Sequence, residues 1–477
     1  LIRPGNLLPQ KFEEVYSVEV LGMILSLLLL TLIAYRGYSV ILFAPVCALL
    51  AASTSGLPLL PTYTEVFMGK GMGFAKAYFP LFMLGAVFGK IMEDTGLAKS
   101  VAHWIVKSLG SKGTIASVVL ACAVLGYGGV SIFVVAFAVY PLGAHLFREA
   151  GIPKRLLPGA IALGSFTFAM TAFPGTPQIQ NLIPVKYFGT DAYAAPVLGT
   201  IAGLLMLVSG LLWLEWRKNK AIALGEGYGI GHINESDTDM DASKLVNPYV
   251  ALLPLVSVLT LNYFLTRYIK TWDPSFLKPY GVSLAGVTAI WALIIAVAVG
   301  IVLALLIGRK EIKSEAMLAK SFQAAIMGSL LAIMNTASEV GYGSVISSLA
   351  GFKQVANFLM AIKPDNPLIS EFLVINVLAG ITGSASGGMS IALEAMGKFY
   401  LDLANSIGMS PELLHRVAAI ASGGFDSLPH NGAIVTLLAI CGLTHKQSYT
   451  DIGVCSVLIP FASGIVVILL YSLFGLK

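Results

Sequence analysis

The chain has 477 residues, 57% of them hydrophobic and 12% charged, with a net charge of +5, and its mean hydropathy is +0.83. A typical soluble domain is about 45–50% apolar and about 25% charged, so this composition excludes a soluble enzyme and a disordered chain. The basic residues are too few and too scattered for a nucleic-acid footprint. What remains is a polytopic membrane protein.

Residues 1–17 are polar and lack the apolar core of a signal peptide. The stretches 37–64, 113–147, 156–185, 192–214, 245–266, 279–308, 372–393 and 452–476 contain no Asp, Glu, Lys or Arg. A membrane helix needs about 20 mostly apolar residues. A β-barrel would show short alternating segments instead, so the fold class is all-α. The first half is read as crossings at 18–35, 37–55, 77–93, 155–185 and 192–216, the second as crossings at 248–266, 284–307, 322–340, 411–443 and 451–475. Residues 97–109 and 342–362 are read as interfacial or short connecting helices. Residues 217–247 form a polar cytoplasmic linker, basic at its start (Arg217, Lys218, Lys220) and acidic at its end (Glu235, Asp237, Asp239, Asp241). The division is 1–17, 18–216, 217–247 and 248–477. Cys47, Cys122, Cys441 and Cys455 show no C-x-x-C spacing and read as small buried hydrophobes.

The two halves repeat. Gly128-Gly129-Val130-Ser131-Ile132 matches Gly387-Gly388-Met389-Ser390-Ile391, and further on Leu156-Leu157, Ser165, Phe168 and Pro174 match Leu413-Leu414, Ser422, Phe425 and Pro429 in the same order. Each half crosses five times, and an odd number inverts the second copy relative to the first. Arg148, Lys154, Arg155, Arg217, Lys218, Lys220, Arg309, Lys310 and Lys313 fall on one side, which the positive-inside rule makes cytoplasmic. Both termini then lie outside.

Two stretches are too long for simple spans. A helix over 113–147 would run about 52 Å at about 1.5 Å per residue, against a hydrocarbon core of about 30 Å. Gly126-Tyr127-Gly128-Gly129 in its middle lets the backbone reverse, which predicts a re-entrant hairpin. Its partner is 368–406, with the tip Gly383-Ser384-Ala385-Ser386-Gly387-Gly388. Residues 156–185 hold Phe173-Pro174-Gly175-Thr176-Pro177-Gln178, and the second copy holds Ser427-Leu428-Pro429-His430-Asn431-Gly432. Proline ends the preceding helix, so each copy is read as a helix broken at mid-membrane. Paired broken helices in corresponding positions are the best sequence pointer to a transporter site.

Breaks and tips expose backbone N–H groups that bind carboxylates. No Lys or Arg stands near the four breaks in the sequence, so the backbone is expected to supply the anion site. Gly128, Gly129, Ser131, Thr176, Gln178, Ser384, Ser386, Gly387, Gly388, Ser390 and Asn431 are the candidate substrate-binding residues. Ionisable groups within spans are functional candidates by default, which singles out Asp426 and His430 at the second break. Their repeat equivalents, Ala169 and Phe173, are apolar, so the site is read as symmetric in backbone and asymmetric in charge. Glu93 and Glu339 close matching segments and are read as proton carriers, as partners of Lys90, or equally as residues of a solvated helix end. Glu394 and Lys398, four apart on one helical face, read as a simple ion pair. No metal or cofactor site is expected.

The run Gly-Lys-Ile-Met-Glu-Asp-Thr-Gly at 89–96, the Gly-Gly-x-Ser tips and Ser427-Leu428-Pro429-His430-Asn431-Gly432-Ala433 resemble the gluconate permease (GntP) family of the ion transporter superfamily, over roughly 20–475. The second break is most similar to the hydroxybutyrate-permease-like branch. This resemblance implies proton-coupled uptake of small sugar acids or hydroxy-carboxylates across a bacterial inner membrane, with inverted repeats, a homodimeric scaffold and an elevator-like moving domain. A short hydroxy-monocarboxylate such as 3-hydroxybutyrate is the favoured substrate, ahead of gluconate. Sodium coupling is the near alternative. An intramembrane serine enzyme built on Ser384, Ser386 and His430 is a remote one, because the first tip has no matching histidine. A channel would need rings of charge or repeated carbonyl filters, and no Walker A motif is present.

Overall fold

Every apolar run folds as helix, and no strand occurs among the described residues. The structure is a computed structural model that describes residues 10–36, 38–109, 113–130, 132–232, 245–312, 314–352, 366–429 and 431–475. Ser131, His430 and the acidic end of the linker (Glu235, Asp237, Asp239, Asp241) lie outside the described residues, as does 353–362 of the second connecting segment.

In chain order the first half holds α1 (Gln10–Tyr35), α2 (Val40–Thr54), α3 (Leu59–Asp94), α4 (Leu97–Leu109), α5 (Thr114–Tyr127), α6 (Ile132–Glu149), α7 (Leu157–Phe166), α8 (Ile183–Phe188) and α9 (Pro196–Ala223). The second holds α10 (Pro248–Ile269), α11 (Leu284–Ile307), α12 (Glu315–Ser348), α13 (Pro367–Thr382), α14 (Ala385–Ser406), α15 (Pro411–Ser422), α16 (Gly432–Cys441) and α17 (His445–Phe474). Six of the described helices are long and apolar enough to cross a membrane. α5 and α13, with 14 and 16 residues, fall short of the length of about 20 that a span needs. Each is instead the first arm of a helical hairpin, packed on α6 and α14 respectively.

Two helices outrun their expected bounds. The crossing expected at 77–93 is the end of α3, which begins at Leu59, and the one expected at 322–340 is the middle of α12. Residues 342–348, expected in a connecting helix, are the last turns of α12, where Tyr342 and Val345 are buried. Charges such as Lys70 and Lys76 truncated the hydropathy signal, yet the backbone continues because the opposite face stays packed. Small residues set that packing: a Cβ at Gly71 would meet the Ala337 carbonyl oxygen at 2.6 Å, and one at Gly341 the Phe67 carbonyl oxygen at 2.7 Å.

α1 to α3 and α10 to α12 pack on one another as one group. The hairpins, the broken helices, α9 and α17 form the other, and α12 lies along α14 between them. Several second-half helices begin on the same device, a capping Asn or Ser followed by Pro. Asn366 accepts from Leu368 N–H and Ser410 from Glu412 N–H. The four cysteines are buried and unpaired.

Candidate functional site

Each break bends onto the tip of its own hairpin. In the first copy α7 stops at Phe166, a single wide turn covers Phe168–Ala172, and extended backbone follows from Phe173. Thr176, fully buried, donates its hydroxyl to the Ala169 carbonyl at 2.9 Å. Gln178 Nε2 donates to the Gly126 carbonyl at 2.7 Å, and the Tyr127 hydroxyl donates to the Pro174 carbonyl at 2.6 Å. Gly129 holds a φ of 93° at the tip, a conformation that glycine adopts without strain.

In the second copy α15 ends at Ser422 and the break runs on through Asn431, beginning several residues earlier than the Ser427 expected from the proline. Asn431 caps α16, its Oδ1 accepting from Ala433 N–H at 2.6 Å and Ile434 N–H at 3.1 Å. Its Nδ2 donates to the Gly383 carbonyl at the tip, 2.9 Å, and to the Asp426 carbonyl, 2.8 Å. Asp426 corresponds to Ala169, so Thr176 and Asn431 satisfy equivalent carbonyls in the two copies. An Asn side chain offers two donors and one oxygen with two lone pairs. All are engaged here, so Asn431 holds the break to the tip and has no donor left for a ligand in this state.

The other candidates divide in the same way. Ser384 caps α14 by accepting from Gly387 N–H at 3.0 Å, with Ser386 Oγ 3.5 Å away. Gly388 is the closest approach of the two hairpin arms, because a Cβ there would stand 2.1 Å from the Ala379 nitrogen. Ser390 is fully buried and its hydroxyl has no hydrogen-bond partner among the described residues. Gly128 abuts the Leu255 side chain, whereas the equivalent Gly387 abuts the Glu339 carboxylate. Glu339 is 4% exposed and its Oε2 has no donor among the described residues. Asp426 is buried and accepts from Ser427 Oγ at 3.1 Å. Glu93 is different: it is partly exposed and lies 3.4 Å from Lys90, which also pairs with Asp94 at 2.8 Å. The structure thus brings Glu339 to the second tip and leaves Glu93 at a solvated helix end.

Two expectations need correction. Glu394 does not pair with Lys398. It accepts from the Tyr187 hydroxyl at 2.8 Å and faces Lys186 at 3.4 Å and Lys70 at 3.5 Å, while Lys398 pairs with Asp402 at 3.1 Å. Helical spacing alone identified a neighbour but not the partner on α3 and α8 that tertiary packing supplies. Nor is the first break without a cation. Arg416, fully buried on α15, donates to the carbonyls of Ala172, Ala192 and Ala194 and to Asn181 Oδ1. All five of its N–H groups are engaged. Beside it His415 Nδ1 lies 2.6 Å from Thr190 Oγ1. Arg416 is remote from that break in sequence, and only an ionisable residue inside an apolar run signalled it.

The same signal marks Glu371 and, for a polar amide, Asn376, neither of which the sequence analysis singled out. Asn376 Oδ1 lies so near Gly424 that a Cβ there would be 1.9 Å away. The two breaks also meet, since a Cβ at Gly423 would stand 2.8 Å from Thr171 Cγ2.

A cavity of about 540 Å3 lies near the start of α9, lined by Phe188, Asp191, Lys270, Thr288, Ser410 and Glu412 among others. Lys270 and Asp191 pair across it at 2.8 Å, joining the two groups of helices. At the opposite end of α9 the linker is tied down. Arg155 is bidentate to Glu226 at 2.6 and 2.8 Å and holds that carboxyl below its usual range. Arg217 and Trp213 bond buried Asp451 at 2.7 and 3.1 Å.

Comparison with known proteins agrees with this architecture. A family model described as GntP family permease matches residues 16–474. The transporter YxjC of Bacillus subtilis (strain 168) is 46% identical over 476 residues, covering 96% of this chain and 100% of that protein. The high-affinity gluconate transporter of Escherichia coli (strain K12) is 26% identical over 366 residues, covering 73% and 74% respectively. Among solved structures, the YdaH transporter of Alcanivorax borkumensis matches with a TM-score of 0.58 at 17% identity, over 87% of this chain and 89% of that one. That last likeness is one of fold.

Proposed function

The chain belongs to the GntP family of permeases, and on that premise we propose that it takes up a small hydroxy-monocarboxylate with protons. It is a transporter rather than an enzyme, a multi-pass protein of the bacterial inner membrane. The observation that carries the finer reading is the pair of amide clamps. Gln178 holds one break to one tip and Asn431 holds the other. Each clamp satisfies a tip carbonyl, and a helix starts beside each tip, α6 at Ile132 and α14 at Ala385, whose N-terminal end suits a carboxylate. The E. coli relative named for gluconate supports an organic acid as substrate. The family resemblance favours 3-hydroxybutyrate over gluconate.

Proton coupling is supported by the buried acids Glu339 and Asp426 at the second tip and break, which form no ion pair among the described residues. His430, between Asp426 and Asn431, completes the titratable set in sequence. Neutralising the loaded site eases its passage through a low-dielectric barrier. Inverted repeats, an elevator-like movement of the hairpin group against the α1–α3 and α10–α12 group, and a homodimer built on the latter complete the reading. The basic cluster around Arg155 and Arg217 supports a cytoplasmic position for the linker end.

The test is uptake into proteoliposomes with an imposed pH gradient, using labelled 3-hydroxybutyrate, lactate and gluconate with and without sodium. Concentrative uptake of 3-hydroxybutyrate driven by the proton gradient alone is expected, and it should be lost in His430→Ala and Asp426→Asn. Uptake that requires sodium at fixed pH would transfer the coupling role to that ion.

A further inference from the structure

Glu371 is a buried acid for which neither break accounts. It sits early in α13, fully buried, and neither carboxylate oxygen has a hydrogen-bond partner among the described residues. On α14, Tyr400 is buried with its hydroxyl 3.5 Å from Oγ of the neighbouring Ser370. Glu394 on the same helix is turned to Lys70 and Lys186, and Lys398 to Asp402. On α15, Glu412 accepts from Ala195 N–H, while His415 and Arg416 face the first break. Glu19 on α1 lies against Gly351, and Tyr471 on α17 is partly exposed. No cation among the described residues of these elements is directed at Glu371.

A bare carboxylate in a dry, unpaired setting is costly, and the neutral acid is the form this packing accommodates. The helix that bears it also reaches the second break. Asn376 packs on Gly424, and a Cβ at Gly380 would stand 3.0 Å from Phe425 Cβ. Glu371 lies about 18 Å along the helix from the tip at Gly383, close to the start of the hairpin. A group that is neutral when packed and charged when wetted changes its proton content whenever the hairpin moves.

We propose that Glu371 is a further proton-carrying carboxyl of the transport cycle, beyond Glu339 and Asp426, loaded at the outer start of the second hairpin. A proton from external water adds to a carboxylate oxygen and gives the neutral acid, which packs as seen here. When the hairpin reaches the other side, the proton leaves to cytoplasmic water and the carboxylate re-forms. This assignment rests on the proton-coupled reading above.

Glu371→Gln keeps the shape of the neutral acid and cannot carry a proton. It is expected to lower proton-driven accumulation about tenfold or more relative to its own counterflow rate, and Glu371→Asp should recover part of the loss. Infrared spectra of the purified protein at neutral pH should show a carboxylic-acid carbonyl band that shrinks in Glu371→Gln. Wild-type accumulation in Glu371→Gln, beside a proton-driven wild type, overturns the role of Glu371 alone. An undiminished acid band in that variant overturns it as well. A wild-type protein that ignores the pH gradient overturns the coupling reading beneath it, whatever the variant does.

Discussion

The first and second breaks share a backbone and differ in what their side chains put against it. Thr176 bonds the carbonyl of Ala169, and Asn431 bonds the carbonyl of Asp426, at equivalent positions of the two copies. Gly128 meets the leucine Leu255, whereas Gly387 meets the carboxylate of Glu339. The first copy is closed by neutral groups and by one arginine borrowed from the second half, Arg416. The second gathers the buried acids. Two similar frames are therefore closed by different chemistry, neutral side chains and an arginine at one break and carboxylic acids at the other. Burial of an acid without a partner is expensive, so a single copy bearing it is a frame with less to offset than two.

The largest expected effect comes from removing the borrowed arginine. Arg416→Met leaves the carbonyls of Ala172 and Ala194 without this donor, at a cost of about 3 kcal/mol or more. A lowered melting temperature in detergent, together with lost uptake, would show that the first break cannot stand without the second half. Unchanged melting would mean that water replaces the guanidinium and that the copies are more independent than their contacts imply. An intermediate effect is expected at the tips. Gly387→Ala drives a Cβ into the Glu339 carboxylate, 2.0 Å from Oε2, whereas Gly128→Ala meets the flexible end of Leu255. The first should destabilise by about 1–3 kcal/mol and the second by less, since an apolar chain yields more readily than a buried charge. Equal melting shifts would remove the asymmetry at the tips. The smallest difference is between Asn431→Ala and Thr176→Ala. The former loses a helix cap and a tip bond, about 1–2 kcal/mol; the latter loses one hydroxyl bond, about 1 kcal/mol. Thermal unfolding of the two variants side by side measures the gap.

Much of this was legible before any coordinates. Glycine at Gly128–Gly129 and Gly387–Gly388, and proline at Pro174 and Pro429, marked the hairpins and breaks because those residues act on the backbone locally. The ordered matches between halves pointed from the first hairpin and break to the second. Asp426 stood out as an acid within a span, and Glu339 as the end of a segment matching that of Glu93. Less legible were the lengths of α3 and α12, since hydropathy reports the lipid-facing side and is interrupted by Lys70 and Lys76 on an unbroken helix. The partner of Glu394 was misread because helical spacing ranks only neighbours on the same helix. Thr176, Gln178 and Asn431 were recognised as polar groups at the breaks, but that they bind backbone rather than wait for a ligand is a matter of distances.

Composition, glycine and proline pointed to an all-helical membrane protein with interrupted helices, because they act through solvation and local backbone geometry. Tertiary contacts alone settled which acid meets which glycine, that Arg416 reaches across from the second half to hold the first break, and that Glu371 has no hydrogen-bond partner among the described residues. Those are contacts between residues far apart in the chain. In a dry interior each polar group must be matched by whatever neighbour packing delivers, and no local rule names that neighbour.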